Sequence, residues 1–157
     1  MHGYKKNKFR YAAITILAVG LLPCLGQFDR WIFLNQTKSM PRWIYIKSSN
    51  KIMAIGDIVV LSLMRNKNFL IKYIAGMDGD EVCQDDENVL WVNNYPVAQK
   101  NIQKYQGAPL QQSICQTLAR DELLVLGDHP DSYDGRYFGP IKTSDVIASV
   151  RLVWPLK

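Results

Sequence analysis

Apolar positions along this chain fall into two regimes. The first is continuous: Tyr11 to Leu25 reads YAAITILAVGLLPCL without a charge, and Gln27 and Asp29 close the run. With Phe9, Gly26 and Phe28 at its margins, the run approaches the roughly 17–25 residues of a membrane-spanning helix. Beyond it the pattern breaks into short apolar stretches separated by Gly, Asn, Asp and Pro, as strands and turns require. Strands are predicted over Trp43–Lys47, Asp57–Met64, Phe69–Ala75, Glu81–Gln84, Val89–Asn93, Glu122–Leu126 and Val146–Trp154. Gly56-Asp57 and Asp78-Gly79-Asp80 read as turns, and Asp85–Asn88 as a hairpin tip. Ala98–Arg120 is polar, Gln-rich and aperiodic, and reads as a surface excursion or a short helix. The expected organisation is a basic tail over 1–10, a helical anchor over 11–28, and a mainly β, antiparallel domain over 29–157.

Charge refines this picture. Lys5, Lys6, Lys8 and Arg10 crowd the first ten residues, so the remainder is nearly balanced, with 15 basic against 14 acidic residues. A nucleic-acid binder would spread its basic residues over the folded domain; here they mark one face of a membrane. Basic residues ahead of an apolar span predict a cytoplasmic N-terminus and an exported remainder. A cleaved signal peptide shares these features, but no clear A-x-A-like site follows Leu25, which favours an uncleaved anchor. The expected location is the inner membrane, single-pass, with the β domain on the periplasmic side. Export also suits Cys83 and Cys115, which can pair in an oxidising compartment or remain two separate thiols.

Ser39, in Thr37-Lys38-Ser39-Met40-Pro41, follows the apolar run by about ten residues. A serine hydroxyl is a weak nucleophile and needs a base. Neither histidine is well placed: His2 is in the leader and His129 in a turn-like stretch. Lys72, in Phe69-Leu70-Ile71-Lys72-Tyr73-Ile74, shares a strand face with Leu70 and Ile74. Such apolar surroundings lower a lysine's pKa towards the range where it acts as a base. Thr37 can turn its hydroxyl to the oxyanion formed when Ser39 attacks. In Gly127-Asp128-His129-Pro130-Asp131-Ser132-Tyr133-Asp134-Gly135-Arg136, the alternate residues Asp134 and Arg136 can form a charge-assisted pair that buttresses Ser39 and Lys72. No Gly-rich phosphate loop or zinc-type Cys/His cluster appears, so neither cofactor nor metal is expected.

Three blocks in order, S-M-P, K-Y-I-A-G-M-D-G-D-E-V and G-D-H-P-D-S-Y-D-G-R-Y-F-G-P-I, resemble the signal peptidase I family of Ser–Lys serine peptidases. The small size, the T-x-S-M-P-R-W-I-Y wording and the D-G-R block are most similar to its conjugative-transfer, TraF-like pilin peptidases. The resemblance implies a compact signal-peptidase-like β domain and a membrane-anchored serine endopeptidase. It implies Ser39 as nucleophile, Lys72 as general base, and the Ser39 amide with Thr37 as oxyanion donors. Asp134 and Arg136 match its supporting pair. Its implied partners are an exported pilin-like or secreted precursor, the lipid bilayer, and a conjugation or secretion machinery. The resemblance also implies that some relatives pass the acyl group to the pilin's own N-terminus and release a cyclic product. His129-Pro130 departs from the Asn-Arg usual in leader peptidases. A general signal peptidase, a self-cleaving regulator with the same dyad, and a silent scaffold of a conjugation channel are the competing functions. The membrane-length leader and the lack of a helix-turn-helix pattern disfavour the regulator.

Overall fold

The computed structural model describes residues 31–35, 37–41, 43–49, 52–62, 69–101 and 114–155. Leu34–Lys157 forms one compact unit, distinct from the segment before it. No helix of the described residues is long and apolar enough to cross a membrane, and the anchor expected over 11–28 lies outside them.

A short strand, β1 (Ile32–Leu34), is followed by β2 (Trp43–Lys47), β3 (Ile58–Leu61), β4 (Leu70–Gly76), β5 (Glu81–Gln84) and β6 (Val89–Val92). Then come β7 (Tyr95–Gln99), β8 (Ile114–Thr117), β9 (Glu122–Leu126), β10 (Ile141–Lys142) and β11 (Val146–Pro155). Within the unit that begins at Leu34, the larger sheet runs β2-β11-β3-β4-β9-β10 and the smaller β7-β6-β5-β8. Every pairing within these two sheets is antiparallel. The mainly β expectation holds.

The strand β9 contributes one face to each of two apolar clusters. Its sequence ELLVL is almost continuously apolar, as a strand covered on both faces must be. Leu123 and Val125 join Val59, Leu61, Ile74 and Ile141 in one cluster, while Leu124 and Leu126 join Val82, Leu90, Val92 and Leu118 in another. The neighbouring β4 divides the same way, Leu70 and Ile74 facing the first cluster, Tyr73 and Ala75 the second. Lys72 therefore sits on an interior strand, between a β3 and a β9 that are themselves buried.

The stretch Ala98–Arg120 differs from expectation at both ends, and 102–113 lies outside the described residues. Its start completes β7 and its end contains β8. Both strands are short and largely exposed, so no apolar alternation marks them. A local signal for β7 was present in Asn93-Asn94, a two-residue connection with φ of 49° and 67°. Two consecutive left-handed residues form the hairpin turn whose twist matches that of the strands. The tip expected at Asp85–Asn88 is present, its Asp85 carboxylate accepting from Val89 N at 2.8 Å and Trp91 Nε1 at 2.8 Å.

Cys83 and Cys115 stand opposite each other on β5 and β8 and form a disulfide. It closes a loop over a sequence separation of 32, so its removal is expected to cost about 2–4 kcal/mol, chiefly by freeing the unfolded chain. Thermal melting with and without reductant checks this; an unchanged midpoint would show that the bond contributes nothing.

Candidate active site

Ser39 is carried by the loop between β1 and β2. The loop is pinned from below by Met40, which is 3% exposed, and by Tyr45 of β2, whose hydroxyl donates to the Pro41 carbonyl at 3.0 Å. Burial, reinforced by the negative charge of Asp128, pushes that phenol up to about 12, so it remains a donor at any working pH. The Ser39 carbonyl accepts the His129 N–H at 3.3 Å. Gly127 lies against this carbonyl: a Cβ there would fall 2.5 Å from the Ser39 oxygen and closer still to the Ser132 hydroxyl. Only a glycine lets the two loops approach this far.

Three of the residues singled out in the sequence, Thr37, Ser39 and Lys72, share one cleft. Thr37, Lys38, Ser39, Leu70, Lys72, His129, Asp131 and Tyr133 line one cleft of about 330 Å³. A second hollow of about 460 Å³, lined by Lys38, Met40, Pro41, Asp128, His129 and Pro130, adjoins the same loop. The hydroxyl oxygens of Ser39 and Thr37 are 2.8 Å apart.

Lys72 is 1% exposed and pairs in register with Val59. Burial lowers its pKa from 10.5 to about 8; the carboxylate of Asp134 opposes that shift and the guanidinium of Arg136 adds to it. The consequence is a population. At pH 7 roughly one Lys72 in ten is a free amine, against fewer than roughly one in a thousand at the ordinary value. Lys100 is also buried and lowered by burial, its amine 5.7 Å from the centre of the Tyr137 ring, but it is not part of this cleft.

Asp134 and Arg136 form the expected pair, and both are almost wholly buried. Arg136 Nε and Nη2 each donate to the Asp134 carboxylate at 2.9 Å, a two-pronged contact that fixes both planes. Nη1 donates to the Pro130 carbonyl at 2.6 Å, and Nη2 also faces the carbonyls of Gly127 at 2.7 Å and His129 at 3.2 Å. The carboxylate also accepts Gly127 N at 2.8 Å and Arg136 N at 3.1 Å, the latter capping the helical turn Gly135–Phe138. The pair thus ties both ends of the 127–136 loop together. Asp134→Ala strands a buried guanidinium, and a loss of about 3–5 kcal/mol in stability is expected from chemical denaturation. A variant with the wild-type midpoint would count against the pair as the loop's fastening.

The sequence did not point to three residues that the structure brings here. His129, set aside as a turn residue, lines the cleft, and its Nδ1 accepts Asp131 N at 3.1 Å. The Ser132 hydroxyl is buried with no hydrogen-bond partner among the described residues. Asn35, 8% exposed, spends its whole amide on the Ser39 loop, donating to the carbonyls of Thr37, Met40 and Pro41 and accepting from Thr37. Its only sequence signal is a polar amide directly after an apolar strand, which any loop start shows.

Comparison with known proteins adds three findings. Residues 10–155 match the family model of the signal peptidases, peptidase S26. The chain is 30% identical to the plasmid transfer protein TraF of Escherichia coli, over 77% of this chain and 82% of that protein. The crystal structure of a signal peptidase I from Enterococcus faecalis is similar with a TM-score of 0.45 and 23% identity, over 66% of this chain and 100% of that one.

Proposed function

This chain belongs to the signal peptidase family, peptidase S26, as a TraF-like member, and from that premise we propose a membrane-anchored serine endopeptidase that processes an exported, pilin-like precursor for conjugative transfer. Ser39 is its nucleophile and Lys72 its general base. The observation that carries this reading is a buried lysine, lowered to about 8, lining the same cleft as the serine.

In the proposed reaction the neutral Lys72 amine takes the Ser39 proton as Oγ attacks the scissile carbonyl. Charge develops on the carbonyl oxygen, where the Ser39 amide and the Thr37 hydroxyl stabilise it. Collapse breaks the peptide bond, and the departing amine carries off the proton from Lys72. The acyl group, now an ester of Ser39, passes to water or to an amine. Asp134 and Arg136 hold the 127–136 loop against the nucleophile. An anchor over 11–28, expected from the sequence alone, would tether the domain on the periplasmic side of the inner membrane, where an exported precursor emerges.

The test is processing in isolated membranes, with a pilin-like precursor and an ordinary secretory precursor supplied in parallel. Preference for the pilin supports the reading. Equal cleavage of both would mean a general signal peptidase, and no cleavage of either a silent scaffold.

Acyl transfer to the pilin's own N-terminus is part of the proposal, because a cleft at the membrane surface holds both pilin ends at high effective molarity. The expected product is a head-to-tail ring, lighter than the cleaved linear peptide by one water, about 18 Da. Intact-mass measurement reads this directly, and a purely linear product would leave hydrolysis alone.

A further inference from the structure

We infer that Asn35 is a positioning residue for the proposed Ser39 chemistry, acting through the hydroxyl of Thr37; the inference rests on Ser39 being the nucleophile. The orientation of the Asn35 amide follows from its neighbours. Nδ2 faces three carbonyl oxygens, of Met40 at 2.7 Å, Pro41 at 3.0 Å and Thr37 at 3.1 Å. Oδ1 faces two donors, Thr37 N at 3.1 Å and Thr37 Oγ1 at 2.9 Å. Flipping the amide would set oxygen against three oxygens, so one arrangement alone satisfies the site.

That orientation fixes where a proton goes. An amide oxygen only accepts, so Thr37 must donate its single hydroxyl proton to Asn35. The Thr37 oxygen, 2.8 Å from Ser39 Oγ, is then left to accept the proton of Ser39. The resting chain runs from Ser39 to Thr37 to Asn35, each bond polarising the next. During reaction Thr37 has to reverse its role and donate to developing negative charge. Asn35 makes this reversal inexpensive, because its Oδ1 still accepts from Thr37 N when the hydroxyl swings away. A buried acceptor left empty would instead oppose the swing. Meanwhile Nδ2 curls the loop around one amide, fixing the Ser39 oxygen relative to the cleft.

A double-mutant cycle tests this, with kcat and KM measured on one precursor for wild type, Asn35→Ala, Thr37→Val and the double variant. Asn35→Ala is expected to lower kcat about 10- to 100-fold, less than loss of a direct oxyanion donor, with KM within about threefold. The decisive quantity is coupling. The loss in the double variant is expected to fall short of the product of the single losses by at least about fivefold, since without the hydroxyl Asn35 has nothing to aim. Losses that simply multiply, or an Asn35→Ala kcat equal to wild type, would overturn the inference. Melting curves accompany every variant. If Asn35→Ala is unfolded at the assay temperature, Asn35→Ser replaces it, returning one donor to the loop carbonyls, and must show the same coupling. Ser39→Ala runs alongside: activity there would bring down the nucleophile assignment, whereas an inactive Ser39→Ala with an uncoupled cycle removes only the role of Asn35.

Discussion

Ser39→Ala is expected to abolish precursor cleavage while leaving the melting temperature within a degree or two of wild type. The two halves have separate causes. Ser39 is only half-buried, and its side chain makes a hydrogen bond to Thr37, itself exposed, so little stability is at stake. Losing the oxygen removes the atom that would carry the acyl group, and activated serines of this kind account for upwards of about a thousandfold in kcat. Thr37 then keeps its bond to Asn35, so the loop has no reason to rearrange. Membranes carrying the variant, given a matched precursor, should accumulate it uncut. Cleavage above about 1% of wild type would require a different nucleophile.

How much of this could be read in the sequence depends on whether a residue's role is made locally. Lys72 was legible because strand alternation alone sets it between Leu70 and Ile74, and those two do face the core. Asp134 and Arg136 were legible because their spacing puts them within reach of each other, and the helical turn between them closes the contact. The run Glu122–Leu126 was legible as a strand, though not as the element shared by two clusters, since pairing across sheets has no period along the chain. The strands β7 and β8 escaped because exposed strands carry no apolar alternation; β8 is placed by its partner and by a disulfide that spacing alone left open. Asn35 and His129 escaped for a deeper reason. Their roles arise from the curl of a loop and the approach of two loops made possible by Gly127, which no local pattern records.

Lys72→Met is expected to give an enzyme that neither cuts nor binds a proton at this site, and that is more stable than wild type at neutral pH. The first part follows from the proposed mechanism, in which without an amine in the cleft nothing takes the Ser39 proton. Lys72→Arg should be equally inactive, because a guanidinium remains charged at any working pH. The wild-type rate should climb with pH through about 8, as the ammonium gives up its proton. A rate that stays flat from about pH 6 to 10 would instead argue for another base.

The stability half rests on the same shift with its sign worked through. The folded pKa of about 8 lies below the 10.5 of an unperturbed lysine, so the unfolded chain binds this proton more tightly than the folded one. Below pH 8 both states are charged, and the folded state bears the full cost of burying the ammonium, about 3 kcal/mol for a shift of this size. Between about 8 and 10.5 the folded state is already neutral while the unfolded state is still charged, so wild-type stability rises with pH. Methionine fits a similar volume without a charge and titrates nothing there. The advantage of Lys72→Met should therefore be greatest at pH 7, narrow above pH 8 and close near 10.5. Urea denaturation of both proteins across that range measures it. A gap that stays constant with pH would show that the cost lies in packing rather than in charge, and would separate the burial of Lys72 from its service as a base.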